Sequence, residues 1–268
     1  MKITTGRITV IGGGVMGGAI VSGWLAASAV DPLAVTVVEP QEQLRKQLAN
    51  STGVAVAASA DEALPADLVM LAVKPQILPA VVADIADKLA GAVVVSIAAG
   101  ISTAKLESML PEGSAVVRVM PNTPAMVGEG MALVSAGASA SAEQAEMVRE
   151  LFASIGDAVV IDERYQNAGT AVSGSGPAYF ALVIDALARA GVAQGLPRAV
   201  AQRLAIQTMR GTAKLLDETG MHPEALIDGV SSPGGTTIAA VNVLEARGVR
   251  AAFNDAVRAN VARAEELG

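Results

Sequence analysis

A glycine-rich turn near the start of the chain constrains the fold more than any other feature. The apolar run Ile8–Ile11 leads into Gly12-Gly13-Gly14-Val15-Met16-Gly17, and residues with helical spacing follow. In such a turn the first glycine permits the tight bend, the second lets the backbone approach a phosphate, and the third lets the helix pack closely on the strand. The helix N–H groups then face a pyrophosphate. The pattern predicts a dinucleotide site lined by Gly12 to Gly17, the alternative being an ordinary strand-to-helix turn.

An acidic residue at the end of the second predicted strand strengthens this prediction. Glu39 follows Val37 and Val38 and stands about 20 residues beyond the last glycine, where a carboxylate accepts hydrogen bonds from the adenosine ribose. Its charge repels a 2′-phosphate, which favours NADH over NADPH. Arg45 and Lys46 follow on the next helix and are cations that can reach a 2′-phosphate, so NADPH stays open as the cofactor. The alternative for Glu39 is a solvated residue at the start of a helix.

The first 162 residues alternate between strand patterns and helical patterns. One helical segment begins at Ser141, where Ser141 and Gln144 form a capping-box signature, and runs to about Ser154. This rhythm predicts βαβ units and a mainly parallel sheet with helices on both faces. The predicted strands are Ile8–Ile11, Ala34–Val38, Val54–Val56, Leu68–Val73, Val93–Ile97, Ala115–Val119, Met131–Val134 and Ala158–Ile161.

Long helical periods replace the strands after Ile161. They predict helices over Ala178–Ala190, Arg198–Asp217, Thr237–Ala246 and Val249–Leu267. The chain is therefore predicted to have two domains, a Rossmann-like domain over residues 1–162 and an all-helical domain over residues 163–268. The last helix carries one apolar stripe, and small-residue helices make a thin core. We expect this region to form a homodimer, the alternative being that the stripe packs within its own domain.

Composition excludes several kinds of chemistry. The chain has no cysteine and one histidine, His222, which precedes Pro223 at a predicted helix start, so neither a metal site nor a Ser-His hydrolase triad is expected. Its 19 basic and 26 acidic residues give a net charge of −7, and no nucleic-acid partner is expected. No apolar run has membrane-spanning length, and residues 1–7 leave no room for a signal peptide before the first strand. The expected location is cytoplasmic.

Four further segments place small, proline-fixed or hydroxyl-bearing residues at predicted turns. Lys74 and Pro75 follow a buried strand, at the edge where open α/β sheets bind ligands, and Lys74 is either a phosphate contact or a solvated cation. The segments 96–100 and 120–124 leave room for a flat ring at two more strand ends. Residues 231–237, Ser-Ser-Pro-Gly-Gly-Thr-Thr, offer N–H groups and hydroxyls at a helix start, which suit a carboxylate or a phosphate. The alternative is that this segment is a plain helix cap.

Taken in series, these segments resemble the pyrroline-5-carboxylate reductase family, which reduces a cyclic imine to proline with a nicotinamide nucleotide. The resemblance spans nearly the whole chain. Its most specific parts are the segments 72–75, 118–124, 173–179 and 231–237, in that order.

The resemblance implies a role for particular residues. Gly12 to Gly17 would line the cofactor with Ala72, Val73, Lys74, Pro75, Ile97, Ala98 and Ala99, and Glu39 and Ser59 would lie near the adenosine ribose. Glu163 matches an acidic position near nicotinamide and substrate. Ser232, Gly234, Gly235, Thr236 and Thr237 would bind the substrate carboxylate, with the Thr237 hydroxyl near the ring nitrogen. The family's helical domain forms dimers that often assemble into larger rings, so a decamer is a further expectation.

The sequence leaves two rival functions open. A β-hydroxyacid dehydrogenase would share the glycine-rich start and a helical second half, but it needs a catalytic lysine after a glycine-rich turn, and the segment 174–181 contains none. A non-catalytic module that senses NAD(P) would need no substrate loop, and the segment 231–237 argues against it.

Overall fold

The computed structural model describes residues 6–267 of the 268-residue chain, so residues 1–5 and 268, the outer ends of the two predicted domains, lie outside it. The described chain divides into two compact units. The first contains residues 6–175 and 261–267, and the second contains residues 176–260.

The first unit is built on an eight-stranded sheet with the order β3-β2-β1-β4-β5-β6-β7-β8. Six of its seven strand pairs are parallel, and only β6 and β7 run antiparallel. The predicted mainly parallel sheet is therefore confirmed. The strands are β1 (Ile8–Ile11), β2 (Val35–Val38), β3 (Ala55–Ala57), β4 (Leu68–Leu71), β5 (Val93–Ser96), β6 (Ala115–Met120), β7 (Gly130–Ala136) and β8 (Gly156–Val160).

Apolar clusters cover both faces of this sheet, which explains why its central strands are mainly apolar. On β4, Leu68 and Met70 belong to one cluster, whereas Val69 and Leu71 belong to the other. The first cluster also holds Trp24 and Phe152, whose rings meet edge to face with centroids 5.7 Å apart. Buried Val, Ile, Leu and Ala supply most of the remainder, as the scarcity of aromatic residues requires.

Six α-helices lie wholly in the described part of the first unit. In the helix Ala142–Ala153 the predicted capping box is confirmed: the Ser141 hydroxyl accepts from the Gln144 N–H, and the Gln144 side chain accepts from the Ser141 N–H. The helices are α1 (Val15–Ala26), α2 (Glu42–Thr52), α3 (Leu78–Ile85), α4 (Thr103–Glu107), α5 (Ala142–Ala153) and α6 (Gln166–Ser173).

The division between the units falls after Ser175, later than the predicted domain boundary at residues 162/163. Packing of α6 on β7 accounts for this difference. The side chain of Gln166 is fully buried and donates to the Leu133 carbonyl and the Ser135 hydroxyl. A Cβ at Gly169 would stand 2.4 Å from the end of the Leu133 side chain, so an alanine there would displace this buried side chain.

The second unit is entirely helical within the described residues. Its small core consists of Ala188, Ala201 and Ala205, with Ile184 partly buried beside them. Large apolar side chains of the same helices stay exposed, among them Phe180, Leu182 and Leu204. The helices are α7 (Gly176–Ala193), α8 (Arg198–Thr219), α9 (Pro223–Val230), α10 (Thr236–Ala246) and α11 (Val249–Leu267), the last of which ends in the first unit.

One helical stretch of the described chain, Glu163–Ala193, is long and apolar enough to span a membrane by length and composition alone. It contains the short turn at residues 174–175 that separates α6 from α7. A single stretch of this kind is weak support for a membrane span, because apolar helices of other proteins pass the same test.

Candidate active site

A cleft of about 960 Å³ opens at the carboxyl ends of β1, β2 and β4. The strand order reverses between β1 and β4, and open α/β sheets bind their ligands at such a reversal. The walls come from the glycine-rich turn, the end of β2 and the segment after β4. Of the residues predicted to bind a cofactor, those lining the cleft are Gly12, Gly14, Glu39, Ser59, Ala72, Val73 and Lys74.

The glycine-rich turn has the geometry that its spacing predicts. Gly12 has a φ of +110°, and a Cβ there would lie 2.6 Å from the Ala72 carbonyl oxygen. A Cβ at Gly17 would lie 2.2 Å from the Gly12 carbonyl oxygen, so only glycine lets α1 begin this close to the strand end. A Cβ at Gly14 would meet no atom of the described residues within 4 Å, which leaves space beside the backbone for a ligand such as a phosphate. The turn therefore fits a dinucleotide.

Val15 and Met16, the two predicted residues of the turn that are not glycines, differ in exposure. Val15 opens α1 with an exposed side chain, whereas Met16 packs partly against the core.

Glu39 is hydrogen-bonded to the glycine-rich turn. Its side chain is buried, with 6% of the residue exposed. One carboxylate oxygen accepts from the Gly13 N–H at 3.1 Å, and the other accepts from the Gln41 N–H at 2.9 Å. A carboxylate oxygen can accept two hydrogen bonds, so capacity for ribose hydroxyls remains. Glu39 is thus not a solvated residue, and it connects β2 to the turn as well as lining the cleft.

Arg45 lies beside this end of the cleft. Its Nη1 donates to the carbonyl oxygens of Glu39 and Pro40 at 2.7 and 2.6 Å. Lys46, the other cation considered for a 2′-phosphate, forms an exposed ion pair with Glu42 at 2.6 Å. Of these two cations, Arg45 is therefore the one bound to the backbone of Glu39 and Pro40, which lines the cleft.

A second, smaller cavity of about 300 Å³ adjoins the same segment after β4. Lys74 lines the large cleft, and the next residue, Pro75, lines the small cavity. Consecutive residues of this segment therefore line the two cavities. Ala99, predicted to bind the cofactor, lines the small cavity together with Arg118, Asn167 and Thr170. The Thr170 hydroxyl is buried and has no hydrogen-bond partner among residues 6–267.

Two predicted cofactor residues contribute little side chain to either cavity. Ile97 packs partly against the core, and Ala98 is 4% exposed, with its N–H donating to the Ser96 hydroxyl. Neither residue is among those that line the large cleft or the small cavity.

Glu163 lies in a 3₁₀ turn between β8 and α6, and its carboxylate makes three hydrogen bonds. Oε1 accepts from the Thr103 N–H at 2.8 Å and from Arg118 Nη1 at 3.1 Å, while Oε2 accepts from the Thr103 hydroxyl at 2.5 Å. Burial raises the pKa of Glu163, but the hydrogen bonds from Thr103 and Arg118 and the Arg118 charge lower it more, so the pKa lies below its ordinary value of 4.5. The carboxylate stays ionised.

The predicted substrate loop belongs to the second unit. It contains Gly234, with a φ of +68°, and the Gly235 N–H donates to the Ser232 carbonyl at 2.9 Å. Gly235 is the N-cap of α10, and no side chain caps this helix, so its first N–H groups, from Thr236 and Thr237 onward, remain available to an anion. A Cβ at Gly235 would lie 2.3 Å from the Ser232 hydroxyl oxygen.

Two buried polar residues of the small cavity's surroundings were not singled out from the sequence. Arg118 is 7% exposed on β6, and Thr103 is 6% exposed at the start of α4. A signal for Arg118 did exist, because a charged residue inside an apolar strand needs a buried partner. Thr103 carried no such signal, since its contact with Glu163 joins residues 60 positions apart.

Two family models match the chain. Residues 7–100 match the family described as NADP oxidoreductase, coenzyme F420-dependent. Residues 163–267 match the family described as pyrroline-5-carboxylate reductase dimerisation.

Full-length relatives and solved structures agree with the second of these models. Pyrroline-5-carboxylate reductase from Synechocystis is 44% identical over 263 residues, which cover 98% of both chains. The structure of the Coxiella burnetii pyrroline-5-carboxylate reductase matches with a TM-score of 0.94 at 34% identity and covers 99% of each chain. That of the Plasmodium falciparum enzyme with NADP bound matches with a TM-score of 0.88 at 29% identity and covers 98% of each chain.

Proposed function

Because this chain belongs to the pyrroline-5-carboxylate reductase family, we propose that it reduces 1-pyrroline-5-carboxylate to L-proline with a nicotinamide nucleotide. The observation that carries the proposal is the 44% identity to a reductase over almost the full length of both chains. The cleft at the strand-order reversal and the uncapped start of α10 support it, because the reaction needs one site for a dinucleotide and one for a small carboxylate.

We propose that the large cleft holds NADPH or NADH. The backbone of Gly12 to Gly17 would hold the pyrophosphate, and Glu39 and Ser59 would face the adenosine ribose. Lys74 would stand near the phosphates, and Pro75 and Ala99 would line the space for the nicotinamide ring. When bound, the reduced nucleotide supplies a hydride from C4 of its nicotinamide ring. The relative of known structure that carries NADP supports the use of a phosphorylated cofactor, whereas the Glu39 carboxylate favours NADH.

The loop 231–237 would bind the substrate. The N–H groups of Thr236 and Thr237, with the Ser232 hydroxyl and the turn at Gly234 and Gly235, suit a carboxylate at the positive end of α10. In the proposed reaction the carbon of the protonated imine gains the hydride, the C=N double bond becomes single as its π electrons move to the nitrogen, and the nitrogen keeps the proton that it already carries. We assign the Thr237 hydroxyl to hydrogen-bond the ring nitrogen. The protein then contributes mainly by orienting two rings, which explains how a chain without cysteine can catalyse the step.

The two rival functions are not favoured. The full-length relatives are reductases of the imine, and neither a β-hydroxyacid dehydrogenase nor a non-catalytic sensor is needed to explain the site.

We propose that the helical domain forms a homodimer and that dimers assemble further into a decamer. The match to a dimerisation domain over residues 163–267 and the exposed apolar side chains of α7 and α8 support the dimer. Full-length similarity to biosynthetic enzymes supports a cytoplasmic location.

A spectrophotometric assay tests the function directly. Loss of reduced-nucleotide absorbance with 1-pyrroline-5-carboxylate is expected, and no reaction is expected with 3-hydroxy acids and oxidised nucleotide. Running the assay with NADH and with NADPH also tests the role of Glu39, because a tenfold preference for NADPH would contradict the argument from its charge.

Replacing Thr237 with Ala is expected to lower turnover, and unchanged kinetics would remove Thr237 from the site.

A further inference from the structure

The small cavity has a wall made of three separate elements that meet at one carboxylate. Arg118 of β6 lines the cavity and is buried, and a buried guanidinium requires a counterion. Glu163 supplies it at 3.1 Å. The same carboxylate binds both the N–H and the hydroxyl of Thr103. Glu163 thus joins β6, α4 and the turn that leads into α6.

Each joined element contributes to the cavity close to its contact with Glu163. Ala99 to Ile101 line the cavity just before Thr103, Met120 lines it two residues after Arg118, and Asn167 and Thr170 line it just after Glu163. A change in the carboxylate's contacts would therefore move three sides of the cavity relative to one another. Glu163 itself is not among the residues that line the cavity, so it is better placed to fix these walls than to meet a ligand in the cavity directly.

We propose that Thr103 and Arg118 are positioning residues for hydride transfer and that they act through Glu163. The inference rests on the proposed reductase function, because the small cavity is taken to receive the reacting end of the nucleotide. The adenosine end is held elsewhere, in the large cleft at the glycine-rich turn. Losing the Glu163 contacts therefore lowers the rate of the bound complex more than it lowers nucleotide affinity.

Paired substitutions at Thr103 test this inference. Thr103→Val keeps the shape of the side chain and removes the hydroxyl, whereas Thr103→Ser keeps the hydroxyl and removes a methyl group. A displaced reacting group costs up to about a hundredfold in rate. We expect Thr103→Val to lower kcat by about tenfold to a hundredfold and Thr103→Ser to retain most of it. A role in packing alone predicts the reverse order, because valine conserves the packed volume.

Glu163→Gln provides a second variant that keeps side-chain size and removes the charge. It is expected to lower kcat in the same way while the NADPH dissociation constant, measured by fluorescence titration, stays unchanged. Thr9→Val is the matched control, since Thr9 is also buried, and its hydroxyl donates to the Ala63 carbonyl at 2.7 Å. This control is expected to change the thermal midpoint without changing kcat.

The outcomes separate the inference from the function on which it rests. An active parent with a slow Thr103→Val and a near-normal Thr103→Ser supports the positioning role. An active parent whose Thr103 variants have equal kcat, or whose serine variant is the slower one, overturns the positioning role and leaves the reductase function intact. A parent that does not oxidise NADPH or NADH with 1-pyrroline-5-carboxylate overturns both.

Discussion

At the scale of single residues, Gly14 and Gly17 offer a matched pair for separating fold from binding. The Cβ of Gly17→Ala would meet the Gly12 carbonyl oxygen at 2.2 Å, and relieving that overlap is expected to cost about 1–3 kcal/mol of unfolding free energy. Gly14→Ala would point into open space, so its stability is expected to stay within about 0.5 kcal/mol of the parent while nucleotide affinity falls. Denaturant unfolding and NADPH titration measure the two effects. Equal stability of both variants would contradict the steric argument.

Arg45 carries a prediction about cofactor choice. If its guanidinium meets a 2′-phosphate, Arg45→Ala loses a hydrogen bond to a charged group, which contributes about 1.5–3 kcal/mol. The KM for NADPH is therefore expected to rise by about tenfold to a hundredfold, with the KM for NADH unchanged. Lys46→Ala is the control, since Lys46 pairs with Glu42 in solvent. Equal changes with both nucleotides would show that Arg45 only supports the carbonyls of Glu39 and Pro40.

The role of a single residue can be predicted from the sequence where local geometry sets the residue type. The bend at Gly12 and the close approach at Gly17 follow from spacing alone, because any strand–turn–helix unit of this kind imposes them. The hydrogen bond from the Gly13 N–H to Glu39 depends on how β2 lies beside β1, so the sequence alone does not predict it. The Thr103–Glu163 contact likewise exists only after eight strands have been placed in order.

At the scale of elements, the Glu163 carboxylate makes stability depend on pH. Its pKa is lower in the folded protein than in the unfolded chain, so its stabilising effect is complete above the unfolded value and is lost as the pH falls through the folded one. The thermal midpoint of Glu163→Gln is expected to lie below that of the parent from neutral pH down to about pH 5.5. The gap should close as the pH falls further.

Glu146→Gln is the control for this prediction. Glu146 pairs with Arg149 within α5 on the protein surface, so its removal is expected to change stability by less than about 1 kcal/mol. A gap between Glu163→Gln and the parent that widens in acid would contradict the assigned role of the Glu163 charge.

The predicted strands were found because valine-rich runs are a strong local signal, and all eight match observed strands to within a few residues. The reversed direction of β7 was not predicted, since strand direction depends on the path of the chain between strands rather than on the strand itself. The helix α6 was missed for a related reason. It begins with the buried polar residue Gln166, whose partners Leu133 and Ser135 lie on β7.

At the scale of the whole molecule, the exposed apolar side chains of the second unit predict an interface between subunits. Leu182 is 70% exposed on α7, so Leu182→Glu would be harmless in an isolated chain but would place an unpaired charge in a dimer. We expect this variant to have the mass of a monomer by light scattering and a lower thermal midpoint. Leu33→Glu, at a residue 93% exposed in the first unit, is the control and should keep the parent's mass. A Leu182→Glu variant with the parent's mass would place the interface elsewhere.

The thin helical core, with Ala188, Ala201 and Ala205 at its centre, was predictable from composition because small residues bury little apolar surface. The extent of the assembly was not, since it depends on surfaces that different copies of the chain present to one another.

The hydrogen bond from the Gly13 N–H to Glu39 has a calorimetric consequence. A turn already held in shape by the protein loses little conformational entropy when a dinucleotide arrives. Titration heats for NADPH should therefore show a heat-capacity change that reflects the apolar surface covered and lacks the large extra contribution of a loop that folds on binding. Preorganisation of this kind would also let association proceed without waiting for the loop to rearrange.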